Sequence, residues 1–193
     1  MWQDISRPLT SGMEVYPGDP GFAARRLRQV ETDGYALTEI SMSAHCGTHM
    51  DAPAHLFPDR TALDALPASQ FCGSALFGPA ALIEMRAPED LSRVPAGTER
   101  LLIHDLGYGG LREADAQRLL AAGVRLIGTN NLSIAAEEVS SAVHTCLLES
   151  EVLLLEGLWL EGLSEGAYEL IALPLRLVGA EGAPARAFVR AME

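Results

Sequence analysis

Leu119-Leu120-Ala121-Ala122-Gly123-Val124-Arg125-Leu126-Ile127-Gly128 holds the end of one element and the start of another. Upstream, Leu111, Ala114, Leu119 and Ala122 recur near helical spacing, predicting a helix over 111–122. Gly123 follows where a helix end often places a residue in the left-handed region. Residues 124–128 then read as a short buried strand. The same alternation continues on both sides. Residues 80–85 and 101–103 read as buried strands, 134–148 as a second helix and 152–156 as another strand. Residues 170–178 and 186–190 add two strand candidates. Many strands with few helices predict an α/β domain with a mixed central sheet rather than a doubly wound parallel one. Nearer the start, Tyr16-Pro17-Gly18-Asp19-Pro20 is a turn signal. Residues 36–44 alternate, with Ile40, Met42 and Ala44 opposite Glu39, Ser41 and Ser43, which predicts a half-buried strand.

The chain has 193 residues, 48% of them hydrophobic, enough for one domain with a sizeable core. Its formal net charge of -12 argues against a nucleic-acid partner. No basic cluster suits an anionic membrane, and no apolar run is long enough to span one. Cys46, Cys72 and Cys146 have no regular spacing, which fits a reducing compartment. With no leader-like N-terminal pattern, the expectation is a cytoplasmic protein.

Three of the five histidines fall within eleven residues: His45-Cys46-Gly47-Thr48-His49-Met50-Asp51-Ala52-Pro53-Ala54-His55. If the strand period continues through His45, then His45, His49 and Asp51 share one side, with Gly47 between them leaving room for an ion. Imidazole and carboxylate donors suit zinc, manganese or another first-row divalent cation, and three protein ligands leave a position for water. His55, beyond the Pro53 bend, is placed to act as general acid or base on that water. Cys46 would point to the opposite face and pack. A second half-site is suggested by His144 in the second helix and Glu156 at the end of a buried strand. His104 reads as a polar strand terminus.

These residues resemble the cyclase family of metal-dependent hydrolases, with the tail from Glu156 closest to its kynurenine formamidase branch. The resemblance covers nearly the whole chain. It begins at Asp4-Ile5-Ser6 and Tyr16-Pro17-Gly18-Asp19. It peaks at His45-x-Gly47-Thr48-His49-x-Asp51-x-Pro53-x-His55 and ends through Glu156-Gly157-Leu158 and residues 168–175. It implies a swivelling β/β/α domain and a two-metal site, usually zinc, with manganese as the other candidate. His45, His49 and Asp51 would hold one ion, and Asp51 would bridge to a second held by His144 and Glu156. His55 matches the catalytic histidine, and Tyr16 stands where the branch has a substrate-packing tryptophan. The implied reaction is hydrolysis of a small N-formyl aromatic amine such as N-formylkynurenine, giving kynurenine and formate, by a homodimer or higher homo-oligomer. Alternatives are an isatin-type or other cyclic amide or lactone hydrolase, a cyclase, or a non-catalytic metal- or small-molecule-binding member. This chain departs from the family at Gly128-Thr129-Asn130, where an aspartate is usual, and at His104-Asp105-Leu106 with its short Gly107-Tyr108-Gly109-Gly110 turn.

Overall fold

A computed structural model describes residues 1–66 and 76–192; Cys72 lies outside these. The strands are β1 (Gln3–Asp4), β2 (Ala23–Arg28), β3 (Leu37–Ser41), β4 (His49–Asp51), β5 (Phe77–Met85), β6 (Arg100–Asp105), β7 (Leu126–Thr129), β8 (Leu153–Glu156), β9 (Gly166–Pro174) and β10 (Gly182–Ala191). The helices are α1 (Val30–Asp33), α2 (Glu113–Ala121) and α3 (Ser140–Glu149).

The sheet runs β1-β10-β4-β8-β7-β6-β5-β9, and β9 pairs again with β10. Seven strands therefore close into a mixed barrel, and β1 pairs with β10 at Phe188 and Val189, beyond the stretch that pairs with β4. The β5–β6, β6–β7 and β7–β8 pairs are parallel, whereas β4 joins both β8 and β10 antiparallel. Closure buries the inner face of the central strands and the helices cover the outer face, which is why these strands read as continuous apolar runs rather than as alternation. Leu82, Leu102, Leu126 and Leu155 belong to the core inside the barrel. Their neighbours Ile83, Leu101, Ile127 and Leu154 pack outward with Ala116, Leu119, Val143 and Leu147 of α2 and α3.

Three expectations are corrected. The predicted strand over 36–44 ends at Ser41, and all five of its residues are exposed because it pairs only with β2, in a separate two-stranded arm. Alternation shows that a strand can have an apolar face but not that anything covers it. Both predicted helices also start late, at Glu113 and Ser140. Leu111 and Ala135 form a β-bridge instead, with Leu111 N–H donating to the Ile134 carbonyl and Ala136 N–H donating to the Leu111 carbonyl. One tertiary pairing therefore takes Leu111 and Ala135 out of the two predicted helices.

Candidate metal centre

His49 and Asp51 sit two residues apart on β4, so their side chains share a face. His45 does not reach them by strand periodicity, because residues 44–48 form a turn in which Gly47 has φ +71°. That positive φ folds His45 back, placing its Nδ1 2.8 Å from Asp51 Oδ1. The turn is clamped from below: Thr48 Oγ1 donates to the Gly157 carbonyl at 2.6 Å and accepts the Arg7 N–H at 2.8 Å. A Cβ at Gly157 would lie 2.3 Å from the Gly47 carbonyl oxygen, and Gly157 has φ +67°. Gly157→Ala is therefore expected to cost about 3 kcal/mol in urea unfolding, through a steric clash and an unfavourable backbone region. Cys46 is buried and packs with its Sγ 3.8 Å from Met13 Sδ, as expected, although the turn rather than strand alternation sends it there.

His144 lies in the second turn of α3, where its Nδ1 bonds the Ser140 carbonyl at 2.8 Å. Its Nε2 faces Glu156 Oε1 at 3.2 Å and Asp51 Oδ2 at 3.9 Å. Glu156 ends β8 and is held by the Ile134 N–H at 2.7 Å. The β4–β8 register sets His49 opposite Glu156, with His49 Nε2 3.3 Å from Glu156 Oε2. Two donor groups result, His45–His49–Asp51 and Asp51–His144–Glu156, each with its ligand atoms within 4.8 Å of one another. Asp51 belongs to both, with different oxygens turned to different histidines.

The electrostatics match this donor set. Asp51 and Glu156 are 1% and 3% exposed, and the ion-pair partners of both are imidazoles. Burial would depress the His49 imidazolium, but Glu156 and Asp51 override it and raise its pKa to about 9. His45 and His144 are raised against burial in the same way, chiefly by Asp51 and by Glu156 respectively. Glu156 is held well below the usual carboxylate range despite its burial, by His144 and His49. Buried carboxylates that favour positive charge so strongly, ringed by nitrogen donors, fit a divalent metal ion.

His55 closes a 3-10 turn opened by Pro53, and its ring centroid lies 4.4 Å from that of His45 and 6.1 Å from that of His144. Burial lowers its pKa; Asp51 opposes this, while His45 and His144 reinforce it. The neutral imidazole is thereby favoured, able to accept a proton. A cavity of about 470 Å³ opens over these groups, and Tyr16 lines it together with Asp19, Leu132 and Glu137. In the sequence Asp19 belongs to the Tyr16–Pro20 turn and to the family resemblance, without a role of its own; the residues on the approach to α3 carry no signal.

Two positions where the chain departs from the family pattern, Asn130 and His104, are not in the cavity lining. Asn130 bonds the main chain of Asp105, with Oδ1 accepting its N–H at 2.7 Å and Nδ2 donating to its carbonyl at 3.1 Å. The Asp105 carboxylate in turn accepts the N–H groups of residues 107–110, which explains the short turn there. His104 sits on β6 opposite Glu84. The departures at Asn130 and His104 thus belong to the strand ends beside the site.

Comparison with known proteins agrees with this geometry. Residues 3–107 match the model of the Cyclase family, described as "Putative cyclase". The chain belongs to that family. It is 33% identical to kynurenine formamidase of Bacillus anthracis over 98% of this chain and 97% of the relative. It is 35% identical to kynurenine formamidase of Sphingopyxis alaskensis over 97% and 96%. A solved potential metal-dependent hydrolase with cyclase activity superposes with a TM-score of 0.82 and 26% identity, over 100% of this chain and 98% of that one. Isatin hydrolase A of Labrenzia aggregata shares the fold, with a TM-score of 0.81 at 22% identity over 100% and 94%.

Proposed function

We infer that this member of the Cyclase family is a metal-dependent hydrolase of amide C–N bonds, acting on a small N-formyl aromatic amine such as N-formylkynurenine. The observation that carries the reading is Asp51 shared by two buried donor groups, with the His55 imidazole facing them across one cavity. The full-length similarity to kynurenine formamidases supports the substrate class.

In this reading His45, His49 and Asp51 hold one ion, and Asp51, His144 and Glu156 hold the second; zinc suits both sets. Ions bound there would supply Lewis acidity, lowering the pKa of a water and polarising a carbonyl. His55 removes a proton from the attacking water and delivers it to the leaving aromatic nitrogen as the C–N bond breaks. The balance is one water consumed, with one amine, one formate and one proton released. Tyr16 offers its ring to the aromatic part of the substrate. The surrounding barrel keeps the donor groups rigid, so their separation is set before substrate arrives.

A homodimer or higher homo-oligomer belongs to the same proposal. It is supported by the β2–β3 arm, which exposes Leu27, Leu37 and Ile40. No helix among the described residues is long and apolar enough to cross a membrane; a cytoplasmic setting is part of the same proposal.

The test is turnover by the zinc-reconstituted protein on a panel of N-formyl anilines, lactams and lactones. Formyl anilides are expected to be cleaved at least about tenfold faster than the cyclic substrates, a gap of roughly 1.4 kcal/mol in the barrier. Preference for a lactam would move the substrate to the cyclic amides. Metal uptake without turnover on any member would leave a binding protein.

A further inference from the structure

Each histidine of the two donor groups has one ring nitrogen turned toward a carboxylate of the site and the other held from behind. Behind His49 stands the Gly47 carbonyl, 3.0 Å from Nδ1; behind His144 stands the Ser140 carbonyl, 2.8 Å from Nδ1. An acceptor in that position takes the N–H, fixes the tautomer and leaves the other nitrogen's lone pair for an ion. His45 is arranged differently. Its Nδ1 faces Asp51, and behind it, 3.3 Å from Nε2, is Oε1 of Glu181. Glu181 belongs to neither donor group.

Glu181 is held in place by its main chain. Its carbonyl accepts the Ala52 N–H at 2.9 Å, and the carbonyl of the preceding Ala180 accepts the Leu63 N–H at 3.1 Å. The next residue, Gly182, begins β10 in register with Asp51 and lies under the His45 ring. A Cβ there would meet His45 Cε1 at 2.7 Å and Nδ1 at 3.3 Å. The start of β10 thus supplies both the acceptor for the imidazole and the space that the ring occupies. An exposed histidine–glutamate pair by itself would contribute little, and the Glu181 side chain is 46% exposed. What distinguishes this pair is that its histidine turns its other nitrogen to the shared carboxylate.

The geometry points to Glu181 as a positioning residue for His45: its carboxylate accepts the Nε2–H and so presents the Nδ1 lone pair to an ion shared with Asp51, over a Gly182 that leaves room for the ring. A carboxylate behind a ligating imidazole also raises the basicity of the nitrogen that binds. The inference rests on the metal reading above, with the role assigned to a residue more than 130 positions away in sequence.

The experiment uses the full chain stripped of metal, as wild type, Glu181→Ala and Glu181→Gln. Each is titrated with Zn²⁺ against a chromophoric chelator, and thermal unfolding of the metal-free proteins confirms equal folding. Glu181→Ala is expected to weaken one of two binding steps about tenfold while the other changes by less than about twofold. Glu181→Gln, whose amide oxygen accepts the same hydrogen bond, should stay within about threefold of wild type. Wild-type constants in Glu181→Ala would overturn the assignment, and so would a Glu181→Gln as weak as Glu181→Ala. A wild-type chain that takes up no zinc would bring down the metal reading together with this inference. A zinc-binding wild type matched by Glu181→Ala would bring down this inference alone.

Discussion

Asp51→Ala is expected to empty both donor groups at once: if each holds a zinc ion, as proposed, bound metal per chain falls from two ions to near none by elemental analysis. The expectation follows from geometry: Asp51 Oδ1 faces His45 and His49, while Oδ2 faces His144. Removing the carboxylate leaves a pair of imidazoles on one side and a histidine–glutamate pair on the other, each short of the three ligands of a catalytic site. Hydrolysis should fall on the order of a thousandfold or more, because the Lewis acid and the activated water go together. The fold should survive, since the main chain at Asp51 pairs with Leu154 and Gly182 independently of the side chain. A second readout separates lost binding from lost folding. An ion at a hundred times its dissociation constant stabilises the wild type by about 2.7 kcal/mol per site, and that increment should vanish in Asp51→Ala. A variant that kept both ions would show that Asp51 does not bridge.

His55→Ala should give the opposite pattern. Both ions should remain, because His55 belongs to neither donor group. Turnover on a formyl anilide should drop by about 10²–10⁴, the usual contribution of a positioned acid–base group. The loss should appear in kcat, with KM little changed, since the imidazole acts on the proton in transit rather than on the bound substrate. Normal turnover, or a parallel loss of metal, would remove His55 from the role assigned to it. Together the two variants dissect the site: one removes the cations and leaves the proton carrier, the other does the reverse.

Part of this site could be read along the chain and part could not, and the division follows from the range of the interactions. His49 and Asp51 share a face because a strand repeats every two residues, a local rule that holds wherever β4 lies. Glu156 was legible for a similar reason, as a carboxylate ending an apolar strand. His45 reaches Asp51 by another route: the strand period breaks at Gly47, where the chain turns. That turn is stabilised by Gly157, over a hundred residues away, which leaves a gap that the Gly47 carbonyl fills. Asn130 and His104 stand out in the sequence only because they differ from the family pattern. Their partners are main-chain groups and a neighbouring strand, which the pattern does not carry.

The residue types and short spacings of the sequence by themselves determined the donor chemistry, the α/β class and the buried strands. Closure of the sheet, the joining of two half-sites through one carboxylate, the late start of two helices, and the placement of Glu181 and Gly182 behind His45 were decided only by the tertiary structure. The physical reason is that local periodicity states which way a side chain points relative to its neighbours in sequence. What it meets there depends on β10 returning to pair with β4, and that register is set by burying both faces of a closed sheet.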